Sequence, residues 1–176
     1  METNKSLQDF IDEFIVEGIK PIVDKKPYLA FILLSSAIEF LGKCLNKTND
    51  WQQNGKSRED FCNAIKTFSS LQKYDVAFAN ENERNQCDLK ERCLYRVLRC
   101  AMVHALQPRP EIILEADRND LAKNTIGCKE LYEDVVKACE DVKNMSLNKT
   151  IPMYIDGNKT GVTSTTTIEI HPPTDK

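Results

Sequence analysis

Apolar residues along this chain recur at helical rather than strand spacing over most of its length. Leu7, Phe10, Ile11, Phe14, Ile15 and Ile22 give a one-sided helix over residues 6–23, and Pro21 limits how regularly it runs near its end. After the link DKKP, Pro27 suits the first turn of the next helix. That helix, YLAFILLSSAIEFLGKCL at 28–45, is the most apolar stretch. Its 18 residues match a membrane span in length, but Ser35, Ser36, Glu39 and Lys43 interrupt it. It predicts the central buried helix of a bundle, in which Gly42 permits a close helix approach.

The polar stretch 46–57 reads as a loop, with Trp51 packing over a bundle end. Ser57 opens a capping pattern with an acid three residues on. Phe61, Ala64, Ile65, Phe68 and Leu71 then carry a helix over 57–73. Beyond the polar break at 79–86, Asp88 with Glu91 repeats the capping pattern and opens a helix over 88–106. Pro108 and Pro110 end it. EIILEA and LAKNTI around DRND predict a hairpin near 111–127. Leu131, Val135, Ala138 and Val142 give a last helix over 129–143. From Ile151 onward, an Asp-Gly pair and the run VTSTTTIEI predict a second hairpin or an extended arm.

The pattern therefore predicts a mainly α fold: an up-and-down bundle of about five helices with a small β-hairpin and an extended C-terminal arm. Residues 1–147 form the helical domain, with the hairpin inserted near 111–127, and residues 148–176 form a β-rich tail. A length of 176 residues suits one domain with a real core. The net charge of −3 argues against a broadly basic nucleic-acid coat. Contact with nucleic acid would need a local basic patch, assembled from one chain or from two.

The seven cysteines are odd in number and contain no CxxC, and the first residues carry no apolar run of the signal-peptide kind. Reduced thiols in a cytoplasmic protein are expected, with no membrane association. Neither a metal-ligand cluster nor a glycine-rich phosphate loop is visible, so no metal and no cofactor are expected.

One stretch does not fit a plain core helix. In LYRVLRCAMVHALQPRP, Arg92, Arg96 and Arg99 precede His104 at an otherwise apolar helix end. Arginine, four residues, then histidine, near the end of a late helix in a small helical domain, resembles the HEPN superfamily. The resemblance covers roughly residues 6–145, mostly as architecture, and does not reach the tail. It implies a four- or five-helix bundle that pairs as a homodimer. It also implies metal-independent cleavage of RNA, of the kind used in toxin–antitoxin or phage-defence systems. An antitoxin or nucleotidyltransferase would be the partner. The residue after the motif arginine is often Asn, Asp or His in active members, and here it is Cys100.

An imidazole exchanges protons near neutral pH, and an always-charged guanidinium fork holds a phosphate and stabilises charge developing on it. His104 is thus the candidate general acid or base and Arg99 the phosphate clamp. Arg96 and Arg92 guide the RNA backbone, and Glu39 and Cys100 are possible orienting residues. On an ideal helix Arg99 and His104 lie ~140° apart, and Arg96 lies ~80° from His104. Either the helix loosens near His104 or a second chain completes the site. The competing reading is a partly buried histidine with arginines in surface ion pairs. It makes the domain a non-catalytic dimeric module that binds nucleotide, RNA or protein. His171, beside Pro172 and Pro173, reads as solvated.

Overall fold

A proline shapes the first helical run. In the computed structural model, which describes residues 3–46, 51, 55–77, 93–145, 147 and 149–153, strand β1 (Thr3–Ser6) leads into three helical stretches in succession. These are α1 (Leu7–Phe10), a π-helical stretch (Ile11–Glu17) and α2 (Gly18–Lys25). Ser6 caps the start, its hydroxyl accepting from the Asp9 amide at 3.1 Å. Pro21 sits inside α2. It has no N–H to return to Glu17 and its ring crowds that carbonyl, and the π winding stops at Glu17.

Helix α3 (Pro27–Cys44) begins on its proline, as the sequence predicts. Phe31, Leu34, Ile38 and Leu41 are buried in the core, each contributing roughly 1.5–3 kcal/mol of burial. The helix packs against α2, against α4 (Ser57–Thr67) and against α7 (Cys128–Asn144). Only half of it is buried, however; Tyr28 and Leu29 are exposed. A β-carbon at Gly42 would stand 1.7 Å from the Asp60 carbonyl oxygen, so α3 and α4 cross in backbone contact.

Two expected elements differ. Ser57 is the first residue of α4 rather than its cap; Lys56 holds the cap position with no side-chain bond. The helix expected over 57–73 ends at Thr67, where Phe68 turns extended at ψ 120°. The chain resumes as α5 (Gln72–Ala77). Ser70 in the intervening turn donates to the Asp134 carbonyl of α7 at 2.8 Å, and Phe68 and Leu71 remain buried. Docking on α7 outweighs continuing the helix.

The hairpin expected near 111–127 is a parallel pair instead. Strands β2 (Ile113–Glu115) and β3 (Thr125–Gly127) run in the same direction, with Ile113 opposite Thr125. The reversal lies between them, at an antiparallel bridge joining Asp120 and Thr125. Asn119 pins the loop. Its amide donates to the Tyr74 hydroxyl at 3.0 Å, its carbonyl accepts from the Gly127 amide at 2.8 Å, and its backbone N–H donates to Glu130. Tyr74, fully buried, donates in turn to Asp134 at 2.9 Å. Lys73 pairs with the same carboxylate at 2.6 Å.

Strand β4 (Thr150–Met153) pairs antiparallel with β1, placing Thr3 opposite Met153. Trp51 donates to the Thr150 carbonyl at 2.9 Å and stacks on Phe40. Cys44, Cys93, Cys100, Cys128 and Cys139 are free thiols. Cys62 is disulfide-bonded, which departs from the expectation of wholly reduced thiols. The polar break at 79–86, the Asp88 and Glu91 cap and the VTSTTTIEI arm lie outside the described residues, as do Arg92 and His171.

Candidate functional site

The motif helix is irregular where its arginines stand. Residues Tyr95–Cys100 are π-helical and α6 (Ala101–Ala105) follows. Leu106 then ends the helix in the left-handed region at φ 54°. That conformation is unusual for a branched side chain. A long bond holds it: Tyr28, at the start of α3, donates its hydroxyl to the Leu106 carbonyl at 2.8 Å. The chain also folds back, with the Arg109 amide donating to the Val97 carbonyl at 3.1 Å.

Arg99 turns inward. Its Nε stands 2.6 Å from a Glu39 carboxylate oxygen in an ion pair whose side chains are 16% and 18% exposed. The guanidinium also lies over the Tyr95 ring, 5.6 Å from its centre. Tyr95 in turn packs edge-on against Phe61. Burial, then a hydrogen bond with Cys100, pushes the Tyr95 hydroxyl up to about 12. It therefore stays protonated at neutral pH. The ion pair uses Nε, leaving the outer Nη edge of the arginine fork outside this contact.

His104 is exposed, near the C-terminal end of α6. The π winding ends at Cys100, immediately after Arg99, so the five steps to His104 run on near-α geometry and the ~140° separation persists. Within one chain the two motif residues face different ways: Arg99 into the groove against α3, His104 into solvent. Arg96 is half-buried on the same π-helical stretch as Arg99. The predicted orienting residues split: Glu39 contacts Arg99 directly, and Cys100 reaches it only through Tyr95.

Tyr95 and Tyr28 were not singled out from the sequence. Tyr95 carried a usable signal, since a residue four positions before an arginine on a helix meets it. Tyr28 carried none, because its bond spans most of the chain. Among the described residues no group of three or more His, Cys, Asp or Glu side chains gathers as a metal site. The chain matches no family model, no curated protein and no solved structure.

Proposed function

We propose that the chain is a HEPN-like helical bundle acting as a cytoplasmic, metal-independent endoribonuclease of toxin or phage-defence type, with its catalytic cleft between two subunits. The observation that supports this reading is the opposed placement of the motif pair. A structural histidine would be buried and hydrogen-bonded, whereas His104 stands in solvent. Arg99 stands on another face, held by Glu39 and Tyr95. Two such chains related by a two-fold axis bring the arginine of one toward the histidine of the other.

In that cleft His104 takes the proton of a ribose 2′-OH, or donates one to the leaving 5′-oxygen. The 2′-oxygen bonds to phosphorus as the P–O5′ bond breaks. The Nη edge of Arg99 stabilises the charge building on the phosphoryl oxygens, while Arg96 and Arg92 carry the flanking backbone. Neither metal nor cofactor takes part. A neutralising antitoxin or a nucleotidyltransferase is the partner this class of activity calls for.

A second reading has its own observation. Glu39 offsets the charge of Arg99 at 2.6 Å, which suits a non-catalytic dimeric module binding nucleotide, RNA or a protein. Incubation of the pure protein with mixed RNAs in EDTA separates the two. The nuclease yields fragments ending in 2′,3′-cyclic phosphate, and His104→Ala abolishes them. Intact RNA, or cleavage undiminished in His104→Ala, leaves the binding module as the function.

A further inference from the structure

Independently of the motif, the face of α3 left open by the core borders an apolar groove. It lies between that helix and the α1–π–α2 run, encloses about 600 Å³, and is floored by Phe10, Phe14, Ile19, Leu33, Ala37 and Phe40. Phe10 stacks on Phe14 with ring centres 4.7 Å apart and meets Phe40 at 5.0 Å. Phe14 is 39% exposed. Such a surface loses free energy to water unless something covers it.

The edge of this groove has a definite charge. Asp9, Glu13 and Glu17 are all exposed and recur every four residues along the helix whose Phe10 and Phe14 form the floor. Glu13 itself lines the groove. The chain already shows what this edge accepts. The Lys5 ammonium pairs with the Glu13 carboxylate and lies over the Phe14 ring, 5.1 Å from its centre. A cation at that position satisfies both the carboxylate and the ring face.

Length sets the other requirement. The lining runs from Phe10 to Ile19 on one wall, about 12–14 Å at ~1.5 Å per residue. That accommodates two to three helical turns, with apolar anchors at i, i+4 and i+7. A second copy of this chain fits poorly, because a two-fold contact here sets the acidic stripe near its own copy.

We propose that this groove docks a short amphipathic helix of a partner protein, apolar on the buried face and flanked by lysine or arginine. The test is selection of a displayed library of 18-residue helical peptides on the full chain. Recovered peptides carry apolar anchors at helical spacing with basic flanks. Their affinity falls at least about tenfold on Phe14→Asp, as for a buried aromatic anchor site. The double reversal Glu13→Lys with Glu17→Lys shifts selection to acidic flanks, a result that a misfolded variant would not produce. The proposal is overturned by recovery of no binder, by binders without charge preference, or by binding indifferent to Phe14→Asp. It is equally overturned if sedimentation shows self-association that Phe14→Asp abolishes, since the groove then holds a second copy.

Discussion

Glu39 on the most apolar helix and Arg99 on the motif helix meet at 2.6 Å, each more than four-fifths buried. This contact fixes where the arginine points, and it changes what removing the arginine does. A cleft arginine free in solvent could be truncated without cost to the fold. Arg99 is not such a residue, because its loss strands a carboxylate among apolar neighbours.

Arg99→Ala should therefore lower stability by about 2–3 kcal/mol, the cost of a buried charge left unpaired. Arg99→Lys should keep most of it. Adding Glu39→Leu to Arg99→Ala should regain a good part of the loss. Urea denaturation of the four proteins measures this; a loss below about 0.5 kcal/mol for Arg99→Ala would show that the pair contributes nothing.

Gly42→Ala should be among the most damaging single-methyl additions. Its new carbon would fall 1.7 Å from the Asp60 carbonyl oxygen, a backbone atom that cannot swing aside. Separating α3 from α4 should cost roughly 3 kcal/mol or more. An unchanged melting temperature would refute the close crossing.

Tyr74→Phe removes one hydroxyl that donates to Asp134 and accepts from Asn119. Leaving both partners short should cost about 1–3 kcal/mol. The loss should concentrate in residues 113–127, so hydrogen exchange there should quicken more than in α3. Uniform quickening, or none, would mean that this network does not hold the parallel strands.

Alkaline pH should unfold the protein early. Burial pushes the Cys44 and Cys139 thiols up to about 12, and Tyr95 likewise. The folded state keeps these protons while the unfolded chain begins to release its thiol protons near pH 9. Their stabilising effect is therefore complete below that pH and is lost as pH rises toward 12. The urea midpoint should fall across pH 9–11, and less steeply in Cys44→Ala. A flat profile would contradict the buried placement of these groups.

Much of the helical framework was legible because burial imposes a period. Leu131, Val135, Ala138 and Val142 announced α7, and Pro27 marked the start of α3. The parallel strands were not legible, since Asn119, Tyr74 and Gly127 fix them through contacts between distant segments. Neither was the break at Phe68, where docking of Ser70 on α7 overrides a continuous helical pattern. At the site, the cost of an isolated carboxylate pointed Glu39 toward Arg99. The outward turn of His104 followed from helical geometry alone. Tyr95 was passed over because its role depends on two neighbours, Phe61 and Cys100, that meet only in the fold.

The most direct test of a shared cleft is complementation. Arg99→Lys and His104→Ala chains, each inactive alone on RNA, are mixed in equal amounts and allowed to exchange subunits. A site built from the arginine of one chain and the histidine of the other is restored once in every mixed dimer. Random pairing should then return roughly a quarter of wild-type cleavage. Mixed dimers that form, verified by sedimentation and mass, yet leave RNA uncut would contradict the shared site.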